Sequence, residues 1–92
     1  MIPLGRPWIT PEDLEGVAAV LGSGRLTQGE QVAALEAELA SRVGVEHAVV
    51  VSSGTAALAV SLAAIGLGPG DRVLIPGYSW VATANVVELT GA

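Results

Sequence analysis

Apolar positions recur at helical spacing twice in the first half of the chain. Thr10-Pro11-Glu12-Asp13 has the make-up of a helix start: Thr10 as N-cap, Pro11 at the first helical position, and acids in the first turn. Leu14, Val17, Ala18 and Leu21 then share one stripe, and Gly22-Ser23-Gly24 ends the run. Arg25-Leu26-Thr27-Gln28-Gly29 reads as a loop. A second helix follows, with Val32, Leu35, Leu39 and Val43 on one stripe and Glu36 and Glu38 off it. Gly44 stands where a left-handed C′ residue belongs.

The second half changes character. Ala48-Val49-Val50-Val51 is a short β-branched run of the kind found in a strand buried on both faces. Residues 55–65 predict a third helix, apolar nearly all round and therefore expected to be buried. Gly66 stops it, and Gly68-Pro69-Gly70-Asp71 is a turn. Val73-Leu74-Ile75 predicts a second short strand, halted by Pro76-Gly77, and a fourth helix is expected over residues 80–89. Gly91-Ala92 would then lead toward another strand. Helices alternating with short apolar runs predict an α/β class with a parallel sheet.

Composition sharpens this reading. Half of the residues are apolar, 51%, which excludes a disordered tail, yet there is no Phe, one Tyr and two Trp. Ala, Val, Leu and Gly supply most of the apolar mass, and each buries little area at roughly 25 cal/mol per Å². A chain of 92 residues is enough for one small domain. With so few large side chains it reads better as a slice of a larger domain than as a complete one. The four cations are Arg6, Arg25, Arg42 and Arg72, and a net charge of −5 without a basic cluster argues against nucleic acid or an anionic membrane as partner. Cysteine is absent, so there is neither a disulfide framework nor a thiolate metal site, and His47 alone builds no zinc site. Met1-Ile2-Pro3-Leu4 lacks the basic start of a signal peptide. The uncharged stretch 48–70 is broken by Ser52-Ser53-Gly54-Thr55 and by Gly66, Gly68 and Pro69, which leaves it short of the ~20 apolar residues a span needs. The expected setting is soluble and cytoplasmic.

Two junctions could carry chemistry. At Val51-Ser52-Ser53-Gly54-Thr55-Ala56-Ala57-Leu58 an apolar run gives way through a Gly turn to an apolar helix. The first amides of such a helix lack internal partners, and its dipole presents partial positive charge. Gly54 lets an anion approach the backbone, while Ser53 and Thr55 add hydroxyl donors. Such a junction can seat a phosphate, or it can be an ordinary helix start with Ser or Thr as N-cap. It is neither a Walker A loop nor a dinucleotide fingerprint. The second junction, Pro76-Gly77-Tyr78-Ser79-Trp80, sets two aromatics in one loop. Trp80 could stack on a flat cofactor, or it could fill the core of a chain poor in large residues.

Four segments, in order and at matching spacing, carry a resemblance: Leu26-Thr27-Gln28-Gly29, Ser53-Gly54-Thr55-Ala56-Ala57-Leu58, Gly68-Pro69-Gly70-Asp71 and Trp80-Val81-Ala82-Thr83-Ala84-Asn85. Together they resemble the N-terminal part of the DegT/StrS-type aminotransferases, which are pyridoxal 5′-phosphate (PLP)-dependent enzymes of fold type I. The resemblance implies that residues 1–92 are an incomplete N-terminal part of that fold's large domain, with parallel strands flanked by helices. It implies an aminotransferase acting on a keto-sugar, nucleotide-sugar or cyclitol in sugar, polysaccharide or antibiotic biosynthesis, with an amino-acid donor and a homodimeric complete form. Residue by residue, Gly54, Thr55 and Ala56 match the segment that holds the PLP phosphate, and Trp80 matches the aromatic stacked on the ring. Thr27 and Gly29 match a loop on the substrate side, often near a subunit boundary. Asp71 matches a structural turn. His47 reads as a surface or structural residue, and Arg25 as a solvated loop arginine.

One departure outweighs the matches. A transaminase needs a lysine to bond its cofactor and move protons, and this sequence has none. No catalytic residue is therefore assigned within residues 1–92, and the chain alone is expected to be inactive. Some relatives replace the lysine by histidine and act as sugar dehydratases, a choice that lies outside these residues. The alternatives of another kind are a small non-enzymatic phosphate-binding module and a segment that finds a complementary chain.

Overall fold

A computed structural model describes residues 4–92 of the chain. The opening Met1-Ile2-Pro3, read above as lacking a leader's basic start, lies outside the described residues. Four helices follow in order: α1 (Pro11–Ser23), α2 (Glu30–Val43), α3 (Gly54–Ala64) and α4 (Ala82–Glu88).

The helix termini obey local chemistry. Thr10 caps α1 as the spacing predicts, and the cap is reciprocal: its Oγ1 accepts from the Asp13 amide at 3.3 Å, while its own amide donates to Asp13 Oδ2 at 2.7 Å. Those bonds to the Thr10 amide and hydroxyl hold the Asp13 carboxyl below its usual range. The Glu12 carboxyl is lowered too, by a bond to its own backbone first and by the Thr10 hydroxyl second. Gly24 and Gly44 close α1 and α2 with φ of 70° and 75°, a left-handed turn that any β-carbon would strain.

The expected α/β class is overturned. Among the described residues there are four helices and no strand, hence no parallel sheet. The residues taken for strands, 48–51 and 73–75, run without a ladder. Their β-branched composition is genuine, but a strand exists only where a second backbone supplies its acceptors and donors. Here the Val50 amide instead donates to Glu36 Oε1 of α2 at 2.9 Å. The two remaining helices shift by a residue or two: α3 begins at Gly54 rather than 55, and α4 spans Ala82–Glu88 rather than 80–89.

The burial expected of α3 also fails, since none of its residues is buried. Its apolar circumference has one helical neighbour, α4, the only helix pair in substantial contact among the described residues. That pairing buries Ala82 and Val86 (3% exposed), and Ala40 of α2 completes the small core. The stripe of α1, Leu14, Val17 and Leu21, lies in water. The chain exposes 8,087 Å², against about 4,900 Å² for a compact monomer of this mass. Its radius of gyration is 17.7 Å, against about 12 Å for a close-packed domain of this length. What the fold secures tightly is the α3–α4 pair.

Candidate functional site

That pair shapes a cavity of about 610 Å³, bounded by Gly54, Thr55 and Leu58 of α3, by Trp80, and by Ala82 and Thr83 of α4. Such a volume suits a small molecule. Ser53 is the N-cap of α3; its backbone is extended, and its Oγ accepts from the Ala56 amide at 3.1 Å. The Ser53 carbonyl in turn accepts from the Ala57 amide at 2.9 Å. Of the first amides of α3, those of Gly54 and Thr55 therefore remain without an acceptor among the described residues. They stand at the positive end of an 11-residue helix, on the wall of the cavity.

Across the cavity stands Trp80, on the irregular turn that leads into α4. Its side chain is 79% exposed, so it does not fill the core. The loop backbone holds it: the Trp80 carbonyl accepts from the Thr83 amide at 3.0 Å. Beside it, the Ser79 and Thr83 hydroxyls share a hydrogen bond of 2.8 Å. Tyr78, the second aromatic of this loop, is fully exposed and does not line the cavity.

Gly54, Thr55 and Trp80 are thus brought together from positions 25 residues apart in the chain. Ala56 lies beside them with its amide committed to Ser53, and it does not line the cavity. Thr27 and Gly29 are placed elsewhere, on a cavity of about 380 Å³ where the end of α1 meets the start of α2. At its rim Arg25 pairs with Glu30 at 3.2 Å, and both side chains are largely in water. His47 sits at the surface beside Glu46. Asp71 closes its own turn, accepting from the Gly68 amide at 2.9 Å, which leaves it a structural task. Leu58, Ala82 and Thr83 line the larger cavity although sequence reasoning did not select them.

A comparison with known families decides the lineage. The model of the DegT/DnrJ/EryC1/StrS aminotransferase family matches residues 7–92. The chain belongs to this family. The match takes in both sides of the larger cavity and the Thr27–Gly29 loop, and it agrees with the resemblance carried by the four motifs. Members of the DegT/DnrJ/EryC1/StrS family are aminotransferases, generally PLP-dependent. No helix among the described residues is long and apolar enough to cross a membrane.

Proposed function

We propose that this chain supplies the phosphate-binding and ring-binding part of the PLP site in an aminotransferase acting on a keto-sugar, nucleotide-sugar or cyclitol. One observation carries the reading: Gly54 and Thr55, whose amides have no acceptor among the described residues, and the exposed Trp80 line the same 610 Å³ cavity within a chain of an aminotransferase family. The donor set suits the cofactor at both ends. A phosphate takes hydrogen bonds from the Gly54 and Thr55 amides, strengthened by the α3 dipole and by the Thr55 hydroxyl. Gly54 has open space where a β-carbon would stand, so an anion approaches its backbone freely. A planar pyridine ring lies against Trp80 with favourable offset stacking. Leu58 and Ala82 shed water from the remaining wall. Ala56 supports the seat from behind, its amide fixing the Ser53 cap.

PLP, when bound, supplies the electron sink through which an amino group passes from an amino-acid donor to the sugar. The chain's own part is to bind and orient. The lysine that the exchange requires comes from outside these 92 residues, and the complete form is proposed to be a homodimer. Thr27 and Gly29, on their separate cavity, are proposed to face the substrate side.

Titration with PLP tests the reading. Quenching of tryptophan emission that saturates and is abolished by Trp80→Phe, but not by Trp8→Phe, is the expected result. Borohydride treatment should leave no covalent label on any side chain, because no lysine is present. Quenching that survives Trp80→Phe unchanged would overturn the assignment.

A further inference from the structure

Trp80 poses a positioning problem that the cofactor reading leaves open. A ring that stacks on a ligand must be held at one height and tilt, yet at 79% exposure this indole has little packing to hold it. The backbone on which it stands fixes where the side chain starts and the direction of its first bond. Residue 83 makes two of the bonds that tie this short loop to α4, one through its amide and one through its hydroxyl, while the Val81 carbonyl accepts from the Ala84 and Asn85 amides at 3.1 Å. The Thr83 amide donates to the Trp80 carbonyl at 3.0 Å, and the Thr83 Oγ1 bonds the hydroxyl of Ser79, the preceding residue, at 2.8 Å. Thr83 is half-buried and itself lines the cavity, so it is fixed by the α3–α4 packing that Trp80 lacks. Its neighbour Ala82 is among the three buried core residues. Of the side chains in α4, Thr83 is the one whose hydroxyl reaches back across the loop that carries the exposed ring.

We infer that Thr83, acting through the Ser79 hydroxyl, is the positioning residue for Trp80 and sets the ring wall of the cavity. As a statement about cofactor affinity this rests on the PLP reading above. As a statement about the indole it does not. The amide anchor survives any side-chain change at position 83, so the hydroxyl pair is the separable part. Losing one neutral hydrogen bond of this kind changes an equilibrium roughly two- to tenfold.

The test uses the full 92-residue chain carrying Trp8→Phe, so that Trp80 alone emits. Thr83→Val keeps the branched shape and the amide but deletes the hydroxyl, and Ser79→Ala cuts the same bond from outside α4. Both should lower the steady-state anisotropy of Trp80 without PLP present, with helical circular dichroism unchanged, and both should raise the PLP dissociation constant roughly two- to tenfold. Thr83→Ser should restore both readouts. The double variant should be no worse than either single one, because one bond is lost in each case. Unchanged anisotropy in Thr83→Val and Ser79→Ala would overturn the inference. Should Thr83→Val lose helical signal, Ser79→Ala decides alone. If PLP fails to quench the Trp8→Phe parent, the cofactor reading falls while the anisotropy still decides whether Thr83 holds the ring.

Discussion

Replacing Trp80 by alanine separates fold from function at this site. The indole is 79% exposed, so its removal takes almost no buried area from the folded chain. A tryptophan presents on the order of 200 Å², and a ring stacked on one face covers roughly a third of it. At about 25 cal/mol per Å² that face contributes about 1.7 kcal/mol. The stacking geometry adds about 0.5–1.5 kcal/mol. The sum, about 2–3 kcal/mol, corresponds to a PLP dissociation constant raised roughly 30- to 150-fold. Trp8, 91% exposed and absent from the cavity lining, provides the control. Equilibrium dialysis with PLP absorbance reads the affinity without relying on either tryptophan, and circular dichroism reads the fold. Trp80→Ala should bind PLP far more weakly than Trp8→Ala, with the same helical signal in both. Equal affinities would refute the stacking role, and a collapse of helicity in Trp80→Ala would refute the claim that the ring stands outside the core.

The purified chain with PLP, glutamate and keto-sugars should form no 2-oxoglutarate above the background of free PLP, for want of a lysine; turnover surviving N-terminal acetylation would contradict this. Asp13 and Glu12 have lowered folded-state values, so their contribution to α1 is complete above the ordinary carboxylate range and is lost as pH falls through those lowered values. Helical signal should accordingly decline on acidification in the parent and decline less in Asp13→Asn, whereas equal profiles would show that the Thr10 cap does not depend on the charge. Amide hydrogen exchange with sedimentation should find Val49, Val51 and 73–75 weakly protected, Val50 slower because its amide bonds Glu36, and the chain prone to associate, since 8,087 Å² of surface is exposed. A monomer with strong protection there would show that a stable domain exists in solution.

Helix starts and stops were legible because they are set within a few residues. Thr10, Pro11 and Asp13 determine a cap among themselves, and Gly24 and Gly44 determine turns through their own backbone freedom. The family motifs single out Gly54, Thr55 and Trp80 as a group; the three line one cavity, but between α3 and the turn into α4 and not at the edge of a sheet, which is absent among the described residues. What failed were the inferences that needed one segment to pack or pair against another. Val49 and Leu74 have strand-like neighbours in sequence, but a ladder is a property of two segments and neither found one. Likewise α3 is apolar enough to be buried, yet burial needs something to lie against it, and among the helices of the described residues only α4 does so. Thr83 escaped notice because its importance lies in two bonds across a loop rather than in its residue type.

The bond from the Val50 amide to Glu36 bears on the order in which the molecule assembles. It spans 14 residues and is half-buried, joining a finished helix to the stretch that leads into α3. Closing a loop of this size takes on the order of 100 ns, comparable with the formation of a helix turn and far faster than bringing distant segments together. Only Val51 and Ser52 separate the captured amide from Ser53, the residue that caps α3. The start of α3 is thereby tied to α2 by a contact of short sequence range, whereas Thr55 and Trp80 stand 25 residues apart. Of these two loops, the shorter closes at the lower entropic cost.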